Sequence, residues 1–255
     1  MPFNSSENTK RYTDLRSLSK INFTTFKKII KKIPYEKKGI LYSEMFFLYL
    51  LCKDIKPFRI IESGRARGQS TLLLSVLFPD TKIISIEHDN ESEDVKVASE
   101  RLASRKNVKL LFGDSTTLIP NILKDGLKTV VLIDGPKEFR SVRLALRALE
   151  FKNVIKVFIH DLSHQTAERT FLKKYFPYIL FSDNSIIAKI NHLLDEDLKI
   201  NLAKEFKYRA NEPYGYSLTC ISNNISKNYS LLIFLSRVAQ LRKAIQKKLN
   251  SKKMY

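Results

Sequence analysis

The sequence predicts an α/β fold: a doubly wound, mostly parallel seven-stranded sheet with helices on both faces. Three observations carry this expectation. From residue 59 onward, short apolar runs rich in β-branched residues alternate with segments whose apolar positions fall at helical spacing. The connections are short, as in parallel sheets whose crossovers are helices covering both faces. Each of the first five runs ends in an acid or delivers one to the following turn.

In chain order, residues 1–57 form a helical preface packing on the core. Phe26, Ile29, Ile30 and Ile33 have helical spacing with lysines on the other faces, and after Pro34 residues 41–51 read as a more buried helix. Residues 58–225 form the main domain. Its strands are expected at 59–62, 81–87, 108–112, 129–134, 154–160, 178–182 and 216–222. Helices are expected at 69–77, around Val95, Ala98 and Leu102, at 117–123, around Val142, Ala145, Leu146 and Leu149, and at 166–175. A polar helical segment is expected near 192–207. Residues 226–255 form a basic amphipathic helix, with Leu231, Phe234, Leu235, Val238, Leu241, Ile245 and Leu249 at helical spacing among arginines and lysines. It suits docking on its own domain with a solvated basic face; a membrane-surface or partner helix is the alternative.

The 255 residues, 44% of them hydrophobic, suffice for one large core. No apolar segment is long enough for a transmembrane span. Two cysteines, Cys52 and Cys220, make no disulfide framework, and the first residues lack the order of a secretory signal, so a reducing, cytoplasmic location is expected. The formal net charge of +19 favours anionic partners, whether nucleic acid, an anionic membrane surface or a phosphorylated substrate. A lysine-rich surface with diffuse charge accounts for it equally well.

Ligands of such sheets bind outside the carboxyl ends of the strands. Those ends carry Glu62 to Gly68, then Glu87-His88-Asp89, Gly113-Asp114-Ser115, Asp134-Gly135-Pro136-Lys137 and His160-Asp161. Each such acid must be solvated or paired, which a purely structural protein has no need to arrange five times. Gly64 and Gly68 allow close approach of the backbone, or simply serve a strand-to-helix turn. Glu87 stands where a carboxylate accepts from ribose hydroxyls. Asp114 suits the exocyclic amine of an adenine, or a helix cap. The dinucleotide pattern Gly-x-Gly-x-x-Gly is incomplete, with Ala66 at its middle position.

Glu-x-Gly-x-x-x-Gly, an acid ending the second strand, Gly-Asp-Ser after the third and Ile-Asp-Gly after the fourth resemble class I S-adenosylmethionine-dependent methyltransferases. The chain is most similar to the bacterial subgroup with Ile-Asp-Gly-x-His-x-Tyr after strand four and His-Asp after strand five, relatives of rhamnosyl O-methyltransferases and cephalosporin-biosynthesis proteins. The resemblance covers roughly residues 41–162. It implies a Rossmann-like class I methyltransferase fold and S-adenosylmethionine as cofactor. Glu62, Gly64, Gly68 and Ser70 would hold the methionine end, Glu87 the ribose, Asp114 and Ser115 the adenine, and Asp134 would stand beside the methyl donor. The implied activity is O-methylation of a hydroxylated small molecule or glycan.

The chain departs from the subgroup at Lys137 and Phe139, where histidine and tyrosine are usual, and Lys137 suits an anionic acceptor. Arg65 and Arg67 are unusual beside a cationic cofactor. His160 is the candidate general base, with Asp161 beside it and His164 as a weaker second. Alternatively a divalent ion such as magnesium, held by Asp134 and Asp161, would acidify the hydroxyl. Two other functions stay open: a nicotinamide-dependent oxidoreductase, and a non-catalytic module holding RNA or an anionic membrane.

Overall fold

A computed structural model describes residues 5–36, 39–196, 217–224 and 227–252. Two helices, α1 (Ser5–Ile30) and α2 (Tyr42–Cys52), precede an alternating series. It runs β1 (Arg59–Ser63), α3 (Gln69–Leu77), β2 (Lys82–Glu87), α4 (Glu93–Leu102), β3 (Val108–Phe112), α5 (Ser115–Leu123), β4 (Thr129–Ile133), α6 (Phe139–Leu149) and β5 (Val154–Ile159). Then come α7 (Ala167–Tyr175), β6 (Leu180–Phe181), α8 (Ser185–Asn191), a 3-10 turn (His192–Leu194), β7 (Thr219–Ser222) and α9 (Tyr229–Lys252).

The strands form one seven-stranded sheet in the order β3-β2-β1-β4-β5-β7-β6. β1 to β5 are parallel, and β7 runs antiparallel to both β5 and β6. The expected Rossmann-like architecture is therefore what is observed. Strand alternation explains its two cores. Ile60, Ile83, Val130, Leu132 and Phe158 pack with α1, α2 and α3, while Ile61, Ile84, Val131, Ile133 and Val157 pack with α5, α6, α7 and α9. Consecutive strand residues point to opposite faces, so only continuous apolar runs can serve both cores. At about 1.5–3 kcal/mol per fully buried aliphatic side chain, this burial dominates the fold's stability.

The order reverses at β1 and β4, the two central strands, which opens a crevice at their carboxyl ends. α1 begins far earlier than its apolar spacing indicated, and it covers the distal edge. The Tyr12 hydroxyl accepts from the amide of Phe181 at 2.7 Å, and the Asn8 amide donates to the carbonyl of Pro177 at 2.6 Å. An edge strand with a satisfied backbone offers no template for another chain. The strand expected at 178–182 is reduced to two residues. The segment expected to be helical near 192–207 begins in the 3-10 turn, and residues 197–207 lie outside the described part, as does Tyr216 of the last expected strand.

One buried ion pair fixes the chain after β5. The Arg169 guanidinium, 3% exposed, donates to both oxygens of Asp183 at 2.6 and 2.9 Å and to the Leu162 carbonyl at 3.0 Å. It also stacks 3.8 Å from the centre of the Phe181 ring. α7 is thereby tied to β6 and to the backbone just past His160-Asp161. Asp183→Ala leaves the guanidinium buried and unpaired, so a loss of roughly 3–5 kcal/mol is expected in urea unfolding. The double variant Arg169→Met with Asp183→Leu should recover much of that loss; a single variant as stable as the parent would contradict this account.

Candidate active site

The loop after β1 owes its shape to chain crossings. Gly64 has φ of +88°, and a Cβ there would lie 2.6 Å from the Gly135 nitrogen of the β4 loop. Gly68, with φ of +76°, precedes α3, and a Cβ would meet Leu102 at 3.1 Å and Ala98 at 3.2 Å. Both glycines are needed for backbone angle and close packing. The amides of Asp134 and Gly135 donate to the Ser63 carbonyl at 2.8 and 2.9 Å, and the Ser63 hydroxyl donates to the Gly135 carbonyl. The ends of β1 and β4 are thus stitched together.

Glu87 latches this loop. One of its oxygens accepts from the amides of Arg65 and Ala66 at 2.9 and 2.8 Å, the other from His88 at 2.8 Å. A carboxylate has about four lone-pair sites, so with three amides bound about one remains for a ribose hydroxyl. Glu62, by contrast, is completely buried. It accepts from the Thr71 hydroxyl and, at 2.7 Å, from the Ser85 hydroxyl, bracing β1 against α3 and β2. Burial pushes its pKa up, against hydrogen bonds from Ser70, Thr71 and Ser85.

The two loop arginines part company. Arg67 turns outward to Glu36 at 3.1 Å and Asp94 at 3.6 Å. Arg65, 2% exposed, turns inward, donates to the Ser85 carbonyl at 2.9 Å and lies 4.9 Å from the Phe112 ring centre. Asp114 caps α5, accepting from the Thr116 amide at 2.9 Å and the Thr116 hydroxyl at 2.6 Å, which hold its pKa below the usual carboxylate value. The cap reading of Asp114 is thus realised, with Ser115 buried behind it.

The carboxyl ends of β4 and β5 hold a cluster of charges. The Lys137 ammonium lies 2.5 Å from Asp134 and 2.6 Å from Asp161. His160 Nδ1 is 2.9 Å from Asp134 and 3.1 Å from Asp161, while Nε2 is 3.1 Å from Glu44. Burial acts to lower the His160 pKa, yet Glu44, Asp134 and Asp161 outweigh it and hold it well above the ordinary histidine value. Burial would raise Asp134, but His160 and Lys137 overcome this and hold it down at about 2. Asp161 is likewise lowered against burial by His160 and Lys137, and Lys137 is raised against burial by the two aspartates. Both ring nitrogens of His160 thus face carboxylates, Asp134 and Asp161 on one side and Glu44 on the other.

Asp134, His160 and Asp161 offer three ligand atoms within 4.8 Å of one another. In this arrangement the ammonium of Lys137 stands between the two carboxylates and both imidazole nitrogens face carboxylates, so an ion held by these groups would compete with Lys137 for the same oxygens. Of the other sequence candidates, His164 is 58% exposed and pairs with Asp183 at 3.2 Å, outside this cluster. Phe139, at the position where the resembling subgroup has tyrosine, is a core residue packed edge-on against Phe171.

Glu44 was missed by the motifs. It lies on α2, accepts from the Leu41 amide at 3.1 Å, and is 1% exposed. The signal was present: it is the only acid in an otherwise apolar helix, and such a group must find a partner. Burial raises its pKa although His160 opposes. Behind it Asp195 accepts from the Ser43 amide at 3.3 Å, and burial pushes Asp195 up to about 7. No sequence pattern announced Asp195.

These shifts set a pH window. A raised histidine pKa contributes stability that is complete below its unfolded value of about 6.5 and is lost as pH rises through the folded value. A lowered aspartate contributes stability that is present above its unfolded value of about 3.9 and is lost as pH falls toward the folded value. Unfolding free energy measured against pH should therefore decline on both sides of a plateau. His160→Gln should flatten the alkaline decline and Asp134→Asn the acid one; unchanged limbs in both variants would refute the pairing.

No protein-family model and no curated protein matches the sequence. Among solved structures, the chain is similar to the O-methyltransferase TomG from Streptomyces achromogenes, involved in tomaymycin synthesis, in complex with S-adenosylmethionine. The two are 15% identical over 84% of this chain and 98% of that one, with a TM-score of 0.47. It is similar to an O-methyltransferase from Bacillus cereus in complex with S-adenosylhomocysteine, at 12% identity over 84% of this chain and 99% of that one, TM-score 0.45. It is also similar to the S-adenosylhomocysteine-bound Podospora anserina methyltransferase PaMTH1, at 15% identity over 88% of this chain and 98% of that one, TM-score 0.42.

Proposed function

We propose that this chain is an S-adenosylmethionine-dependent O-methyltransferase acting on a hydroxylated small molecule or glycan. One observation carries the reading: Glu87 and the ionised pair Asp134 and Asp161 stand at one sheet edge around the glycine loop. Fixed carboxylates suit a cationic cofactor bearing a ribose diol, and a pyrophosphate would be repelled by them. That argues against a nicotinamide-dependent oxidoreductase, as does the alanine at the loop's middle position.

When bound, S-adenosylmethionine supplies a methyl group on a sulfonium. Glu87 and the loop from Gly64 to Gly68 would hold its nucleoside and methionine parts, with Asp114 and Ser115 at the adenine side. Asp134 supplies the fixed negative charge nearest the crevice. Glu62 and Ser70 act indirectly, by bracing the loop from within. Arg65 presents a buried cation beside the same loop and suits a carboxylate.

His160 is a positioning residue: its charge keeps Asp134 and Asp161 ionised and in place, and Glu44 keeps His160 charged. Lys137, 53% exposed, is the member of the cluster open to an acceptor. Its ammonium stabilises a developing oxygen anion, and as the free amine it would take the hydroxyl proton. Both aspartates oppose loss of its proton, so turnover should rise through alkaline pH with no inflection at the ordinary histidine value. The same ammonium does the bridging that a divalent ion would do between Asp134 and Asp161, so turnover needs no metal.

We place the chain nearest the subgroup with Ile-Asp-Gly after strand four and His-Asp after strand five, with lysine in the role of its histidine. Residues 1–57 belong to the catalytic unit because α2 lends Glu44 to the site. Residues 58–225 form the cofactor-binding domain, and 226–255 a helical appendage. Buried free thiols at Cys52 and Cys220 suit a reducing, cytoplasmic setting.

Calorimetric titration with S-adenosylmethionine tests the core of this reading. Saturable binding is expected, weakened at least about tenfold in Glu87→Ala and retained in Lys137→Met. With a labelled methyl donor and a panel of hydroxylated acceptors, Lys137→Met should lose about 10²–10⁴-fold in turnover. Chelator should leave the parent unaffected. Absence of heat at millimolar ligand would sink the proposal.

A further inference from the structure

The last helix has two faces with different fates. Tyr229, Leu232 and Ser236 are buried on the domain, whereas Leu231, Phe234, Leu241, Ile245 and Leu249 are each more than half exposed. The exposed residues recur at helical spacing and make one stripe along the helix. Docking on the domain, which the sequence spacing suggested, thus uses only part of the apolar surface. A contiguous exposed stripe of this kind marks an interaction surface.

The helix also has a direction. Its start lies at the amino-end side of the sheet, where the Ser230 hydroxyl donates to Glu150 at 2.9 Å. Gln240 accepts from Arg143 at 2.7 Å, and Lys243 reaches Glu138 and Glu168, both at 3.0 Å. Glu138 immediately precedes α6 and follows Lys137, so by Lys243 the helix has climbed to the edge that carries the charge cluster. The remaining residues, 244–252, carry α9 roughly 13 Å further.

The charge around the stripe has one sign. Between Tyr229 and Lys252 there is no acid, while Arg237, Arg242 and Lys248 flank the apolar stripe. Arg140, Arg143 and Arg147 of α6 add to them. Arg143 is held below the usual arginine pKa by burial and then by repulsion from Arg237, Arg147 and Arg140. A partner for this face has to be apolar at its centre and anionic around it.

We propose that the outer face of α9 docks on an anionic lipid surface, with its apolar stripe in the headgroup boundary and its cations on lipid phosphates. The carboxyl edge of the sheet, with Lys137, then lies close to that surface. Amphipathic basic helices bind in this way, lying in the interface without crossing it. No helix among the described residues is long and apolar enough to cross a membrane. A second copy of the chain is disfavoured, because pairing the stripes would press two acid-free basic helices together. RNA would satisfy the cations and leave the apolar residues in water. The proposal stands independently of methyl transfer.

Flotation of the full chain with vesicles tests it. The protein should float with phosphatidylcholine vesicles containing one third phosphatidylglycerol and stay behind with pure phosphatidylcholine. Leu241→Glu with Ile245→Glu, and separately Arg237→Glu with Arg242→Glu, should each weaken partition about tenfold or more, and added salt should weaken the parent. These positions are solvent-exposed, so unchanged thermal unfolding verifies folding in every variant. Parent protein left at the bottom of the gradient would overturn the proposal. So would flotation indifferent to the Leu241 and Ile245 replacements, or a solution dimer that those replacements convert to monomer.

Discussion

A carboxylate withdrawn from water must be neutralised, hydrogen-bonded or paired, and the edge of this sheet is built on meeting that requirement several times over. Asp134 and Asp161 face each other across β4 and β5 and would repel in isolation. Lys137 and His160 hold them together, and Glu44 holds His160. Each ion is the condition for its neighbour's charge. The cluster is therefore one object, and removing any member changes the protonation of the rest. Because α2 contributes one member and β4 and β5 the others, the same object pins the preface to the sheet.

That arrangement divides what was legible in the sequence from what was not. Strands β1, β2 and β4 were readable because a strand buried on both faces must be largely apolar, β3 and β5 because their apolar runs persist around one lysine each, and the acids marking their ends were readable because they interrupt those runs. Glu44 was harder. Its partner His160 is 116 residues away, and nothing local says which strand end a lone acid in an apolar helix will reach. His160 was read as a base from its intrinsic pKa, a reading made without sight of the three carboxylates that separate elements bring to its ring. Asp114 had two roles open to it, helix cap and adenine acceptor; the cap is the one made within the chain, with the Thr116 amide and hydroxyl as its donors. The first helix was under-read because its amino-terminal part is mostly polar, and only Tyr12 and Leu15 there are buried apolar residues.

The net charge shows a similar limit. A sum of +19 fixes the sign of a partner and leaves its position open. Folding concentrates part of that charge on α6 and α9, beside apolar residues that the domain does not cover. Diffuse charge and a localised surface are indistinguishable in composition. They separate once it is known which helix face is already occupied.

The glycine loop joins these threads. Its missing middle glycine is Ala66, which holds φ of +44°, and the carboxylate of Glu87 fastens that strained turn through two amides. Glu62 supports the loop from beneath through the Thr71 and Ser85 hydroxyls. The loop is held by the protein's own Glu87 and by the crossing of Gly64 over Gly135. A ligand entering such a loop has little ordering left to impose, so more of its contact energy remains for affinity. Glu87 thus serves two ends at once: the lone pairs committed to three amides make the site rigid, and about one is left over for a ligand.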